Sequence, residues 1–161
     1  GPSSTRRTFG QHGSRGFHRR GSFRQGRSLR EVVLDASVVL KWIHSKDERH
    51  LKPALELRRS FEDGELQVLA PPLLWLEILN VAARSWHWDE AKMAELATSL
   101  PELGFEIIDP DLESVAHWCA QGLTACEAAY VTVAEGAGVR LVTDDAQVVE
   151  SAPDVALALA G

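Results

Sequence analysis

Val32-Val33-Leu34-Asp35-Ala36-Ser37-Val38-Val39-Leu40-Lys41-Trp42 is the stretch on which the fold turns. Its first three residues form an apolar run, too brief for a helix and rich in β-branching, that reads as a buried strand. A carboxylate follows at once, then a small Ala-Ser pair, then an apolar run ending in Lys41 and Trp42 that suits a helix. In an open parallel α/β sheet, ligands bind beyond the carboxyl ends of the strands. Asp35 stands at such an end. Asp is also a favoured helix N-cap, so a purely structural role for Asp35 is the competing reading.

On the N-terminal side, residues 1–30 are rich in Gly, Ser and Arg, with Phe9, Phe17 and Phe23 interspersed and no sustained hydrophobic period. The composition predicts a flexible basic tail, 1–30, ahead of one domain, 31–161. Gly1-Pro2 resembles a protease-cleavage scar, so a non-native leader is one reading of the tail. An arm that grips RNA phosphates and stacks on bases, or a strap across the body, are the others. The tail holds eight Arg and no acid, a charge of +8; the remainder sets nine Lys or Arg against 23 acids, −14, within a net charge of −6. An acidic body does not advertise nucleic-acid binding. Any anionic substrate needs a cation to mediate its approach.

A length of 161 residues, 45% hydrophobic and 25% charged, suits one ordinary globular domain with a sizeable core. No apolar run approaches the ~20 residues that span a bilayer, and no apolar segment follows the basic N-terminus as in a secretory signal. Cys119 and Cys126 form no Cys-x-x-Cys, and no His pair has ligand spacing. That argues against zinc and for a reducing, cytoplasmic setting, with both thiols expected as small buried hydrophobes.

On the C-terminal side, strands and helices alternate. Leu51 to Phe61 is helical in pattern and ends at Asp63-Gly64; Gln67 to Ala70 reads as a strand; Pro71-Pro72 opens a helix from Leu73 to Trp86. That helix is apolar almost all round and is expected to be buried. Glu77 is its lone carboxylate, with Asn80 and Arg84 on the same stripe; a solvated face is the alternative. Asp89 caps a helix that stops before Pro101, paired antiparallel with its predecessor. Phe105 to Ile108 is a strand, Asp109-Pro110-Asp111 opens a helix to about Ala120, and Trp118 is assigned to packing. Thr124-x-x-Glu127 before an apolar run is a capping-box pattern, which offers Glu127 a structural role on the Thr124 amide. Val139 to Val142 is a strand closed by Thr143-Asp144-Asp145, where one acid can cap the helix from Ala146 to Glu150. Val155 to Leu159 suits an edge strand.

This alternation implies an α/β fold: a three-layer sandwich with a mostly parallel central sheet of four to five strands flanked by helices. Asp35 and Asp145 leave strand ends on one edge, and Glu77 and Glu127 lie on helices able to reach it. Four neighbouring carboxylates cannot all ionise at neutral pH without raised pKa values. A hard divalent cation resolves the conflict, and oxygen ligands select Mg²⁺ or Mn²⁺.

The order of motifs resembles the PIN-domain ribonucleases, and among them VapC-type toxins of toxin–antitoxin pairs, over roughly Val32 to Leu159. Residues 33–42 are similar to the family's opening motif, and Pro72, Glu77 and Asn80 to its second acidic segment. Leu123 to Tyr130 is similar to the third, and Val142-Thr143-Asp144-Asp145 to the fourth, where Thr143 and Asp145 match and Asp144 is a neighbour. Glu127 departs from the usual Asp by one methylene, a change to which tight octahedral coordination is sensitive.

The resemblance implies a Mg²⁺- or Mn²⁺-dependent endoribonuclease. Asp35, Glu77 and Glu127 are the expected ligands of a first ion, and Asp145 helps place a second ion or the attacking water. Thr143 orients a carboxylate; Ser37, Thr124, Asn80 and Asp144 are supporting positions. It further implies an RNA substrate, a homodimer and a VapB-like antitoxin seated in an apolar groove between the early helices. The rival is a weak or inactive PIN-like module that binds RNA or protein. A phosphoryl-receiver domain, which also uses strand-end acids, is a third reading, but no Lys follows the last strand here to pair with a phosphoryl group.

Overall fold

The computed structural model describes residues 29–45 and 49–160, so the expectation of a flexible tail lies, apart from Leu29 and Arg30, outside the described residues. Among the described residues five strands form one sheet: β1 (Arg30–Leu34), β2 (Leu66–Ala70), β3 (Glu106–Ile107), β4 (Arg140–Thr143) and β5 (Ala156–Ala158). Their order is β3-β2-β1-β4-β5, and each neighbouring pair is parallel. The helices are α1 (Ala36–Ile43), α2 (Leu51–Glu62), α3 (Leu73–Arg84), α4 (Glu90–Ser99), α5 (Leu112–Ala120), α6 (Ala125–Ala137) and α7 (Ala146–Ser151).

The chain steps outward from β1 to β2 and β3, then crosses back to β4 and steps the other way to β5. Right-handed crossovers therefore put α1–α4 on one face and α5–α7 on the other. With both faces covered, strands read as apolar runs rather than alternations: Val33, Leu34, Val68, Leu69 and Leu141 are wholly buried. Along α6, Ala128 to Ala134 is buried against β1, β2 and β4, with α5 packed on its outer side. Small Ala128, Ala129 and Ala134 permit that close approach. On the opposite face, Trp42 stacks on Phe61 at 5.7 Å, meets Phe105 edge-on at 6.0 Å, and donates its indole N–H to the Ala54 carbonyl at 2.8 Å. No helix among the described residues is long and apolar enough to cross a membrane.

The structure corrects several expectations. α3 ends at Arg84, short of Trp86, and is buried on one face only: Leu74, Ile78 and Ala82 point inward while Leu76 is 66% exposed. A helix on the outside of a sheet buries one stripe, whatever its overall apolarity. α4 ends at Ser99, but the chain continues through Pro101 as a 3₁₀ turn over Leu100–Leu103. A proline lacking an N–H fits the opening of such a turn. The third strand shrinks to two residues, since β3 is an edge that meets only β2. Cys119 is half-buried and Cys126 exposed, because Cys126 sits in the first turn of α6, above the packed part of that helix.

Candidate active site

β1 and β4 are adjacent where the direction of winding reverses, so the connections leaving them part and open a crevice at their carboxyl ends. Asp35 follows β1 and caps α1. Its Oδ1 accepts from the Ser37 amide at 2.9 Å and from the Ser37 hydroxyl, and its Oδ2 accepts from the Thr143 hydroxyl. The same two hydroxyls accept from the next connection: Ser37 Oγ from the Asp144 amide and Thr143 Oγ1 from the Asp145 amide, each at 3.1 Å. Two directed hydrogen-bond chains thus hold Asp35 against the loop after β4. Thr143 is wholly buried, leaving its hydroxyl no water to bond instead.

Asp145 caps α7, its Oδ1 accepting from the Gln147 amide at 2.9 Å. Glu77, in the second turn of α3, accepts on Oε1 from the Tyr130 hydroxyl of α6 at 2.6 Å. At the start of α6, the Thr124 hydroxyl accepts from the Glu127 amide at 3.2 Å and donates to Glu127 Oε1 at 2.8 Å. Only half of the expected capping box forms, because the Glu127 side chain meets the Thr124 hydroxyl rather than its amide. Glu127 Oε2 is buried without a hydrogen-bond partner.

Asp35, Glu77, Glu127 and Asp145 line one cleft of about 320 Å³, together with Ser37, Thr124, Cys126 and Tyr130. Neither Lys nor Arg is among its lining residues. The larger groove, about 460 Å³ between α1, α2 and α4, is walled by Trp42, Phe61, Trp88 and Leu96 and contains none of these carboxylates. Among the described residues, no three His, Cys, Asp or Glu side chains are gathered into a ready metal cage.

Burial pushes the Asp35 carboxyl above the usual carboxylate range, against the opposing hydrogen bonds from Ser37 and Thr143. Burial also raises Glu77; the Tyr130 hydroxyl opposes this, and the negative charge of Asp35 adds to it. The Tyr130 phenol is pushed well up by burial, by its bond to Glu77 and by the nearby negative charges. Asp144 goes the other way. Partial burial would raise it, yet His50 and Lys41 hold it below the ordinary value.

The remaining sequence candidates are placed differently. Asn80 is exposed and accepts from Arg84 Nε at 3.2 Å on the outer side of α3, away from the cleft. Asp144 bridges Lys41 Nζ at 3.3 Å and His50 Nδ1 at 2.7 Å, tying α1 and the start of α2 to the loop after β4. Tyr130 and Cys126 also line the cleft and were not singled out from the sequence. Tyr130 lies three residues after Glu127, a spacing that puts both on one helical face and was the available signal.

The family model described as PIN domain matches residues 32–152. No curated protein matches the chain by sequence. Among solved structures, PAE2754 from Pyrobaculum aerophilum is similar with a TM-score of 0.58 at 22% identity, over 84% of this chain and 93% of that one. FitAcB from Neisseria gonorrhoeae gives 0.56 at 20% identity, over 78% and 94%. A toxin–antitoxin complex from Klebsiella pneumoniae gives 0.50 at 18%, over 80% and 97%. Identities this low speak for the fold alone. The family match is broader in kind: it spans most of the chain and runs from β1 to the residue after α7, and by it the chain belongs to the PIN domain family.

Proposed function

We propose that the chain is a divalent-cation-dependent endoribonuclease of the VapC-like toxin type, hydrolysing RNA phosphodiesters to 5′-phosphate and 3′-hydroxyl ends. One observation carries this reading: four carboxylates far apart in sequence line a single cleft with no Lys or Arg in its wall. Such a cleft repels a phosphate unless a cation intervenes.

The residues suit Mg²⁺ or Mn²⁺. The carboxylates and hydroxyls of the wall offer hard oxygen donors, and one Glu127 oxygen is buried without a partner. Because no three donors are gathered as they stand, gripping an ion entails rotation of the longer Glu77 and Glu127 side chains. Asp35, Glu77 and Glu127 would hold the first ion. When bound, it supplies Lewis-acid stabilisation of the charge growing on the scissile phosphate and a more acidic water. Ser37 and Thr143 fix the Asp35 carboxylate from both sides. Thr124 fixes one oxygen of Glu127 and leaves the other to the cleft. Asp145, anchored through one oxygen by the Gln147 amide, has its second oxygen to orient the attacking water or a second ion.

For partners, the likeness to a toxin–antitoxin complex supports a cognate, VapB-like antitoxin, and the apolar groove between α1, α2 and α4 is a seat of suitable chemistry for an amphipathic helix. A homodimer is the proposed assembly, and the exposed Leu76 and Leu112, at 66% and 79%, supply apolar surface for it.

Incubation with total RNA, with and without EDTA and with both ends mapped, tests the reading. Cleavage that needs the cation, leaves 5′-phosphates and disappears in Asp35→Asn is expected. Ends carrying a 2′,3′-cyclic phosphate would mean that the ribose hydroxyl attacks, and the mechanism would be wrong. The wide placement of the donors favours a second reading, a binding-only module; it predicts no cleavage by the parent or by Glu127→Asp at any Mn²⁺ concentration.

A further inference from the structure

Every carboxylate hydrogen-bonded by a side chain in the cleft wall takes that bond from a neutral hydroxyl: Asp35 from Ser37 and Thr143, Glu127 from Thr124, Glu77 from Tyr130. Basic side chains do lie close by, but Lys41 and His50 face Asp144, outside the cleft wall. The distinction matters chemically. An ammonium or guanidinium would neutralise a carboxylate and compete with a metal ion for it. A hydroxyl fixes the carboxylate's direction and leaves its charge for an ion.

Among these donors Tyr130 has the longest reach. It is 3% exposed, and its ring is held in the packed interior of α6. Its hydroxyl crosses to α3 to meet Glu77. One phenol therefore joins α6, which carries Glu127, to α3, which carries Glu77. Ser37, Thr143 and Thr124 each serve a carboxylate on their own or an adjoining segment. The Tyr130 bond alone spans helices on opposite faces of the sheet.

From this geometry we infer that Tyr130 is a positioning residue, anchoring Glu77 in the cleft wall near Asp35, from where its side chain turns to share a divalent ion with Asp35 and Glu127. The inference rests on the proposed function, and its test separates the two. Mn²⁺ binding to the full chain is followed by the electron paramagnetic resonance signal of free Mn²⁺, for the parent, Asp35→Asn and Tyr130→Phe. Tyr130→Phe is expected to weaken Mn²⁺ about tenfold, as loss of a ligand-orienting partner typically does. The Mn²⁺ concentration for half-maximal cleavage should rise by a similar factor, with a smaller fall in kcat at saturating ion. Added to Glu77→Gln, the same substitution should have little further effect on Mn²⁺ affinity.

Binding that is lost in Asp35→Asn but unaltered in Tyr130→Phe overturns the role of Tyr130 and leaves the metal site standing. A parent that binds no Mn²⁺ overturns both. A further measurement needs no substitution, since Tyr130 is the chain's single tyrosine. Fluorotyrosine labelling gives one ¹⁹F resonance, which should shift on Mg²⁺ titration in the parent and stay still in Asp35→Asn. A resonance indifferent to Mg²⁺ in the parent overturns the inference even if Tyr130→Phe cannot be folded.

Discussion

At Asp35 the cap of α1 and a place in the cleft wall, alternatives in the sequence, fall to one carboxylate. The Ser37 amide bond that starts α1 also fixes one oxygen of a carboxylate in the cleft wall. Burial makes the arrangement costly without a cation. Asp35 and Glu77 have raised pKa values, so between the ordinary carboxyl range and those raised values the folded chain binds more protons than the unfolded one. Their contribution to stability is full below about pH 4 and is lost as pH climbs through the raised values. In EDTA the urea midpoint should therefore fall as pH increases above ~4. Asp35→Asn keeps a good N-cap while removing an ionisable group. It should flatten that slope and raise the neutral-pH midpoint in EDTA, while cutting cleavage at least about a hundredfold, the loss expected on removing a group that stabilises the transition state electrostatically. A slope as steep in Asp35→Asn as in the parent would refute this account of the buried carboxylate.

For α6 the capping pattern at Thr124 was legible, since Thr before an apolar run marks a helix start. Its second half was not. A Glu at the third helical position can meet either the amide or the hydroxyl of its cap, and only the packing around the cleft selects the hydroxyl. Thr124→Ala removes the cap and should cost about 1 kcal/mol in chemical denaturation. It also frees Glu127 Oε1, so Mn²⁺ affinity should fall with stability. Thr124→Ser keeps both bonds and should keep both quantities. Loss of stability with unchanged affinity would confine Thr124 to capping. α3 shows the limit of periodicity from the other side: its near-continuous apolar sequence hides which stripe is inward. Glu77 reaches Tyr130 while Asn80, three residues on, stays outside with Arg84.

Across the whole molecule, charge poses the problem that any RNA-cutting role must solve. The body after residue 30 carries −14, and the cleft wall holds no Lys or Arg, whereas residues 1–28 hold seven arginines and no acid. Deleting residues 1–28 should weaken binding to single-stranded RNA in fluorescence anisotropy. It should also flatten the salt dependence, by about 0.7 in the slope of log K against log salt for each phosphate that an arginine no longer neutralises. An unchanged slope would assign the RNA grip to the body. The sequence by itself determined the alternation of strands and helices, the strand-end acids Asp35 and Asp145, and the caps at Asp89 and Thr124, because these depend on periodicity and on bonds within a few residues. Only the tertiary structure decided the strand order that brings β1 beside β4 and the bond from Tyr130 to Glu77. Each of those needs segments far apart in the chain to meet, and no local pattern of residues encodes which of them will do so.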